Sequence, residues 1–147
     1  MKKKFELYFI LIMLAFTFNS LLAAQSDYFS KGKILFDKKD FKKSKLFFEK
    51  DIVFNPKSEN SYLYLAKIFK KNDNEDEEEK NLDTVLLLNP KNDEAIYLLT
   101  LLKIKQSDYE GAKDLIKKFE LICSTYCNKK NEMKKKFDKL IPKNEKN

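Results

Sequence analysis

Large apolar side chains recur along residues 27–122 at the spacing of one helical face, and short polar segments interrupt them at regular intervals. Tyr28, Gly32 and Leu35 stand at positions i, i+4 and i+7, which places them on one side of a helix. Polar breaks with capping residues divide the stretch into six segments, and a seventh follows near the end of the chain. We therefore predict seven helices, at about 27–37, 41–54, 59–71, 75–88, 93–105, 109–122 and 129–140.

The pattern has a period of 34 residues. The Asn-Pro-Lys triplet Asn55–Lys57 returns as Asn89–Lys91, and the same spacing of 34 relates Gly32, Ala66 and Thr100. A fixed period of this length is typical of an array of helix pairs, in which each pair buries its apolar face against its neighbours. The predicted fold is therefore all-α: an antiparallel helix-pair solenoid of about three units, closed by a C-terminal capping helix.

The recurring residues resemble the tetratricopeptide repeat (TPR), in which two antiparallel helices carry large, small and aromatic positions and a proline closes each unit. The first unit fits with Tyr28, Gly32, Leu35, Phe41, Ser44, Phe48 and Pro56. The second fits with Tyr62, Ala66, Phe69, Leu82, Val85 and Pro90. The third fits with Ile96, Leu99, Tyr109, Ala112, Ile116 and Phe119.

The resemblance covers about residues 25–124, with repeats at about 25–58, 59–92 and 93–124 in a domain that spans 25–141. Four positions depart from the family pattern: Glu78 replaces a small residue, Thr100 is only fairly small, Lys103 replaces an apolar residue, and Ser124 stands where proline is usual. Residues 129–140 are expected to cover the last apolar surface of the array as a capping helix. Residues 142–147 are expected to be a disordered tail.

The first 24 residues have the layout of a secretory signal peptide. A basic start at Lys2–Lys4 precedes the apolar stretch Leu7–Phe18, and small residues follow at Ala23 and Ala24. We expect cleavage after Ala24 and a periplasmic or secreted protein of the exported bacterial type. The alternative is an uncleaved N-terminal membrane anchor, although the apolar run is shorter than the 20 or so residues that a spanning helix requires.

The composition argues against an enzyme. The chain contains no His and no Trp, and its two Gly residues lie too far apart to form a phosphate-binding loop. We predict no catalytic residue, no cofactor, no metal site and no small-molecule substrate. The acidic run 73–79 is expected to be a solvated helix start, whose carboxylates complement the helix dipole. A cation site or an acidic docking patch is the alternative.

Cys123 and Cys127 are the only cysteines, and they lie between the sixth helix and the capping helix. Their C-x-x-x-C spacing differs from the redox motif C-x-x-C. An even cysteine count in an exported chain indicates a disulfide. Two free thiols or a redox pair are the alternatives.

In this family the first helix of each pair lines a concave groove, and the resemblance implies which outward positions would meet a partner. They combine large apolar side chains with lysines: Phe29, Lys33, Phe36, Leu63, Lys67, Lys70, Tyr97, Leu101 and Ile104. Exposed apolar residues in a concavity favour a protein or peptide partner with apolar anchors and some acidic character. Packing within the array or against the capping helix is the alternative.

Family members that bind chaperones hold a C-terminal carboxylate with Lys, Asn, Asn, Lys and Arg. The matching positions here are Phe29, Lys33, Tyr64, Glu94 and Leu98, so only one positive charge is present and we expect no such clamp.

The expected function is a non-enzymatic protein–protein interaction scaffold of the bacterial cell envelope, which binds its partner in the groove. The alternative is a module that binds nucleic acid or an anionic surface, because the net charge is +7. The lysines are scattered over every helix and Arg is missing, so we expect no nucleic-acid partner. The lysine-rich face of the capping helix is compatible with peripheral association with the envelope.

Overall fold

A computed structural model describes residues 27–140, and the predicted leader (1–24) and tail (142–147) lie outside this range. The described residues form seven α-helices and no strand. The helices are α1 (27–37), α2 (Phe41–Phe54), α3 (Glu59–Lys71), α4 (Glu75–Leu88), α5 (Asp93–Lys105), α6 (Tyr109–Ile122) and α7 (Lys130–Leu140). The all-α prediction is confirmed. The last helix begins one residue later than expected, because Cys127–Lys129 form a short 3-10 turn before it.

The described residues fall into two compact units, one that ends at Ser61 and one that begins at Tyr62. The described part of the first unit consists of α1, α2 and the start of α3. The second unit contains the rest of α3 and the helices α4 to α7.

A turn with the same backbone geometry joins the two helices of every pair. Lys39, Asp73 and Ser107 lie 34 residues apart and have φ values of 62°, 51° and 61°. In each case the next residue donates its backbone N–H to a carbonyl five residues back, an arrangement that closes a helix C-terminus. The same residue then caps the second helix with its side chain, at Asp40, Asn74 and Asp108. The 34-residue period is therefore a period of backbone geometry as well as of side chains.

In the first unit, α1 and α2 approach closely at Gly32. A Cβ atom built on Gly32 would lie 2.7 Å from Cε1 of Phe48, whose side chain is fully buried. Ser44 on α2 donates its hydroxyl to the Gly32 carbonyl at 2.8 Å. Tyr28 stacks on Phe54 with ring centroids 5.4 Å apart. Small residues at the crossing thus permit the contact that large aromatic side chains complete.

The second unit has two apolar clusters that share α5. The first contains Leu63, Ala66, Leu82, Val85, Ala95, Leu99 and Leu102. The second contains Ile96, Tyr97, Ile116, Phe119 and Met133. Met133 belongs to α7 and is completely buried, so α7 covers the end of the array as the capping helix was expected to do.

Lys103, which departs from the family pattern, is neutralised inside this unit. Its ammonium lies 2.5 Å from Oε1 of Glu79 on α4 and 3.5 Å from Oδ2 of Asp108. The hydrogen bond from Lys103 to Glu79 is the main cause of a raised pKa at Lys103. An ion pair between neighbouring repeats therefore takes the place of an apolar contact.

Candidate functional site: the outward faces of the first helices

In the first unit, the outward face of α1 carries the three predicted residues Phe29, Lys33 and Phe36. Phe29 and Phe36 are half-buried, and their rings lie 5.8 Å from Phe48 and 5.3 Å from Phe41. Lys33 is exposed and its ammonium donates to Oδ2 of Asp37 at 2.9 Å. The face is therefore aromatic, with one lysine whose charge is paired along the helix.

In the second unit, the charged side chains of α3 have different environments. Lys67 forms an ion pair with Glu94 of α5 at 2.7 Å and lies over the ring of Tyr64. Lys70, near the C-terminus of α3, forms no ion pair with a described residue. Desolvation lowers its pKa, and the nearby charges of Lys136 and Lys105 lower it further against the opposing effect of Glu78. Lys70 is therefore the lysine of this face whose charge is least compensated.

Three of the nine predicted groove residues are buried, and the expectation that they are exposed is wrong. Leu63, Tyr97 and Ile104 have exposed fractions of 5%, 8% and 7%. Leu63 belongs to the first apolar cluster together with Leu99 of α5, so the neighbouring repeat contributes to its burial. The spacing along one first helix predicts its contact with the second helix of the same pair, but it contains no signal for a contact with a neighbouring repeat. Leu101 is half-buried and packs against the second cluster.

Tyr97 is covered by the C-terminal segment, which is the alternative of packing against the capping helix. Its hydroxyl donates to Oε1 of Glu132 on α7 at 3.1 Å, and Lys129 lies over its ring. Desolvation and the hydrogen bond to Glu132 raise the pKa of Tyr97 to about 12. Hydrogen bonds from Lys136, Lys129 and Tyr97 lower the pKa of Glu132 to about 2. These groups form one charge-compensated network at the end of the face.

Cys123 and Cys127 form a disulfide, with Cα atoms 5.2 Å apart. The three backbone N–H groups that the disulfide encloses, those of residues 124–126, donate to Oδ2 of Asp93 at 2.8, 2.7 and 2.9 Å. Burial raises the pKa of Asp93, but these hydrogen bonds outweigh it and the net shift is downward. Asp93 thus holds the disulfide loop against the N-terminus of α5.

Sequence reasoning did not find the role of Asp93, because it looks like an ordinary acidic residue in the first helical turn. It also missed Asp51, whose buried carboxylate accepts hydrogen bonds from the hydroxyls of Ser58 and Ser61 at 2.5 and 2.6 Å. Both carboxylates bind groups that lie after a chain reversal, and no local motif marks such contacts.

The acidic run 73–79 forms the end of one turn and the first turn of α4, where Asn74 caps the helix. Within residues 27–140, no group of three or more His, Cys, Asp or Glu side chains is arranged to hold a metal ion. No α-helix in this part of the chain combines the length and the apolar character needed to cross a bilayer.

No protein-family model matches the chain, and no curated protein matches it. Solved structures do resemble it. The Arabidopsis OM64 TPR domain gives a TM-score of 0.74 at 17% identity, over 82% of this chain and 99% of that chain. The Sgt2 TPR domain from Aspergillus fumigatus gives 0.62 at 17% identity, over 79% and 76%. The first TPR of Spaghetti (RPAP3), bound to the HSP90 peptide SRMEEVD, gives 0.70 at 15% identity, over 79% and 92%. The repeated turn, the helix pairs and these similarities together show that the chain has the tetratricopeptide-repeat fold.

Proposed function

We propose that the protein is a non-enzymatic interaction scaffold that binds a peptide or partner protein on the outward faces of its first helices. The observation that carries the proposal is the composition of these faces. In the first unit, Phe29 and Phe36 of α1 are half-buried and share their helix with the exposed Lys33, and in the second unit Leu101 of α5 is half-buried. Such side chains lose little further mobility on binding and still expose apolar area, which suits the anchors of an interface. The similar TPR domain of Spaghetti was solved with a peptide bound.

The partner that this surface fits has apolar anchors and an acidic group. Lys67 is already paired with Glu94, so it offers little to a ligand. Lys70 has no ion pair within the described residues, and its pKa is lowered by desolvation. A carboxylate of the partner beside Lys70 would restore that lost stabilisation of the charged form. We therefore place the acidic group of the partner near the C-terminus of α3.

The partner is not a peptide held by a chaperone-type carboxylate clamp. Glu94 stands where the clamp has a lysine, and it is occupied by Lys67. We expect no measurable binding of SRMEEVD at concentrations up to about 100 μM. The C-terminal carboxylate of the peptide would lie beside the carboxylate of Glu94, and the two negative charges would repel each other.

The test is a binding assay of the full chain against a displayed peptide library, followed by titration of the selected peptide. Leu101→Ala should weaken its binding by about tenfold or more, and Lys70→Ala should weaken it by less. Leu121→Ala is the matched control, because Leu121 lies on α6 and is 86% exposed. Thermal melting of each variant separates lost binding from lost folding. If Leu121→Ala weakens binding and Leu101→Ala leaves it unchanged, the partner binds to the second helices instead.

We further propose that the protein works in the bacterial cell envelope, after cleavage of a leader at Ala24. Support comes from the three-part N-terminus and from the disulfide, since disulfides persist in oxidising compartments. N-terminal sequencing of protein recovered from the exporting cell should start at Gln25. An intact Met1 in a membrane fraction would support the anchored alternative instead.

A further inference from the structure

The disulfide loop is the attachment point of α7. Cys123 and Cys127 close a loop whose three enclosed backbone N–H groups converge on one carboxylate oxygen of Asp93. Three consecutive N–H groups reach a single oxygen only when the chain curls tightly, and the disulfide restricts the loop to such compact conformations. The covalent bond and the carboxylate therefore hold the same curled segment.

The segment that follows depends on this loop for its position. Tyr126 lies beside Tyr97, with ring centroids 6.1 Å apart, and a 3-10 turn leads directly into α7 at Lys130. From there Met133 enters the apolar cluster of α5 and α6, and Glu132 accepts a hydrogen bond from the hydroxyl of Tyr97. Rotation of the loop would move the start of α7 and break these contacts together.

By itself, α7 is a weak helix. It has 11 residues, of which five are lysine, and Met133 is its one fully buried side chain among the described residues. Helices shorter than about 12–15 residues are marginal in water unless packing supports them. The position of α7 therefore rests on its contacts with α5 and α6, among them Met133 in the apolar cluster and the ion pairs of Lys130 and Lys134 with Glu120, and on the loop that precedes it.

We propose that the Cys123–Cys127 disulfide is a redox-sensitive latch, and that its reduction releases α7 and uncovers Tyr97 and the apolar cluster around it. The reductant is a dithiol. Its first thiolate attacks the sulfur of the exposed Cys127, the S–S bond breaks, and Cys123 leaves as a thiolate that takes up a proton. The second thiolate then closes the oxidised reductant and releases Cys127, which is protonated in turn. The latch does not depend on the identity of the partner, but its release enlarges the apolar area on the outward face of α5.

Hydrogen exchange measured by mass spectrometry on the full chain, with and without dithiothreitol, tests the latch. Reduction should accelerate exchange in residues 124–140 by about tenfold or more, the scale set by closure of a five-residue loop. Exchange in residues 95–119 should stay within about twofold. The double variant Cys123→Ser, Cys127→Ser should exchange like the reduced protein and should not respond to the reductant.

Asp93→Asn tests the second half of the latch with the disulfide intact. It should also accelerate exchange in 124–140, whereas the matched control Asp114→Asn, at an exposed position on α6, should not. The proposal is overturned if reduction leaves 124–140 unchanged within twofold. It is equally overturned if 95–119 accelerates together with 124–140, or if the serine variant fails to fold, because the disulfide would then stabilise the whole unit.

Discussion

At the scale of single residues, the three repeated turns hold non-glycine side chains in a conformation that favours glycine. Lys39, Asp73 and Ser107 all have positive φ, where a Cβ atom crowds the backbone and costs about 1 kcal/mol. The chain has two Gly residues, and neither occupies one of these turns. At each of these turns, the residue that is present therefore makes the fold less stable than a glycine would.

Lys39→Gly should raise the free energy of unfolding by about 0.5–1 kcal/mol, because it removes the left-handed strain without disturbing a buried contact. Chemical denaturation measures the change. Lys38→Gly, one residue earlier and without a positive φ, is the control and should lower stability. A decrease for both variants would show that the turn is not strained.

Glu78 is a second residue with a local cost. Its side chain is buried, with an exposed fraction of 4%, at the position where the other two repeats have Ser44 and Ala112. Desolvation raises its pKa above the ordinary 4.5, and the opposing attraction of Lys70 and Lys105 is smaller. A carboxyl whose folded pKa exceeds its unfolded pKa destabilises the fold when it is ionised.

Glu78→Gln should therefore stabilise the protein by about 0.5–1 kcal/mol at pH 7, since it keeps the shape and removes the charge. The direction in which this stability difference changes with pH follows from the raised pKa of Glu78. The wild type regains stability as the pH falls through the folded pKa toward 4.5, so the difference between the two proteins should shrink over that window. Melting curves from about pH 7 to about pH 4 provide the measurement. A difference that grows toward the acid end of the series would contradict the raised pKa.

At the scale of elements, the close crossing of α1 and α2 depends on the absence of a side chain at Gly32. The distance of 2.7 Å that would separate a Cβ atom at this position from the ring of Phe48 is shorter than any ordinary contact. The ring cannot move away cheaply, because Phe48 is fully buried at the centre of the first unit. Glycine has a low helix propensity, so the close approach of the two helices is accompanied by a loss of intrinsic stability in α1.

Gly32→Ala should lower the free energy of unfolding by about 1–3 kcal/mol, although alanine favours the helix by up to about 1 kcal/mol. The clash with Phe48 outweighs the gain in helix propensity and makes the change in the free energy of unfolding negative. Lys42→Ala, an exposed change on α2, is the control and should stay within about 0.5 kcal/mol of the wild type. If Gly32→Ala were as stable as the control, the crossing would be looser than the contact with Phe48 implies.

Most helices could be predicted from the sequence, because local signals mark their ends. Capping side chains such as Asp40 and Asp108 follow polar breaks, and Pro56 follows the end of α2 in the first repeat. The outward faces could be predicted less well. Leu63 is buried in a cluster that includes residues of the next repeat, and Tyr97 is covered by α7. A single helical face contains no information about such non-local partners. The ion pair of Lys67 with Glu94 was missed for the same reason.

At the scale of the whole molecule, the net charge of +7 contrasts with the local pairing of its lysines. Ion pairs with acidic residues occur on every described helix, and they include lysines of α7, where Lys134 pairs with Glu120 and Lys136 with Glu132. Most of these pairs are exposed and contribute little to stability. They nevertheless reduce the positive potential that a polyanion would meet at the described helices.

The alternative function, binding of nucleic acid or an anionic surface, therefore makes a different prediction from the scaffold. We expect the full chain to bind a single strand of about 20 nucleotides with a Kd weaker than about 100 μM at about 150 mM salt, where screening acts beyond about 8 Å. Fluorescence anisotropy across a salt series measures this. Substitution of Lys134–Lys136 by Glu should weaken this binding only through the change in net charge, and therefore by about as much as the same change at Lys38, Lys42 and Lys43. Binding tighter than about 1 μM at the same salt, abolished by that substitution but not by the same change at Lys38, Lys42 and Lys43, would instead assign the function to the lysine-rich face of α7. The proposal that the protein is an interaction scaffold would then be contradicted, because the outward faces of the first helices would not take part in binding.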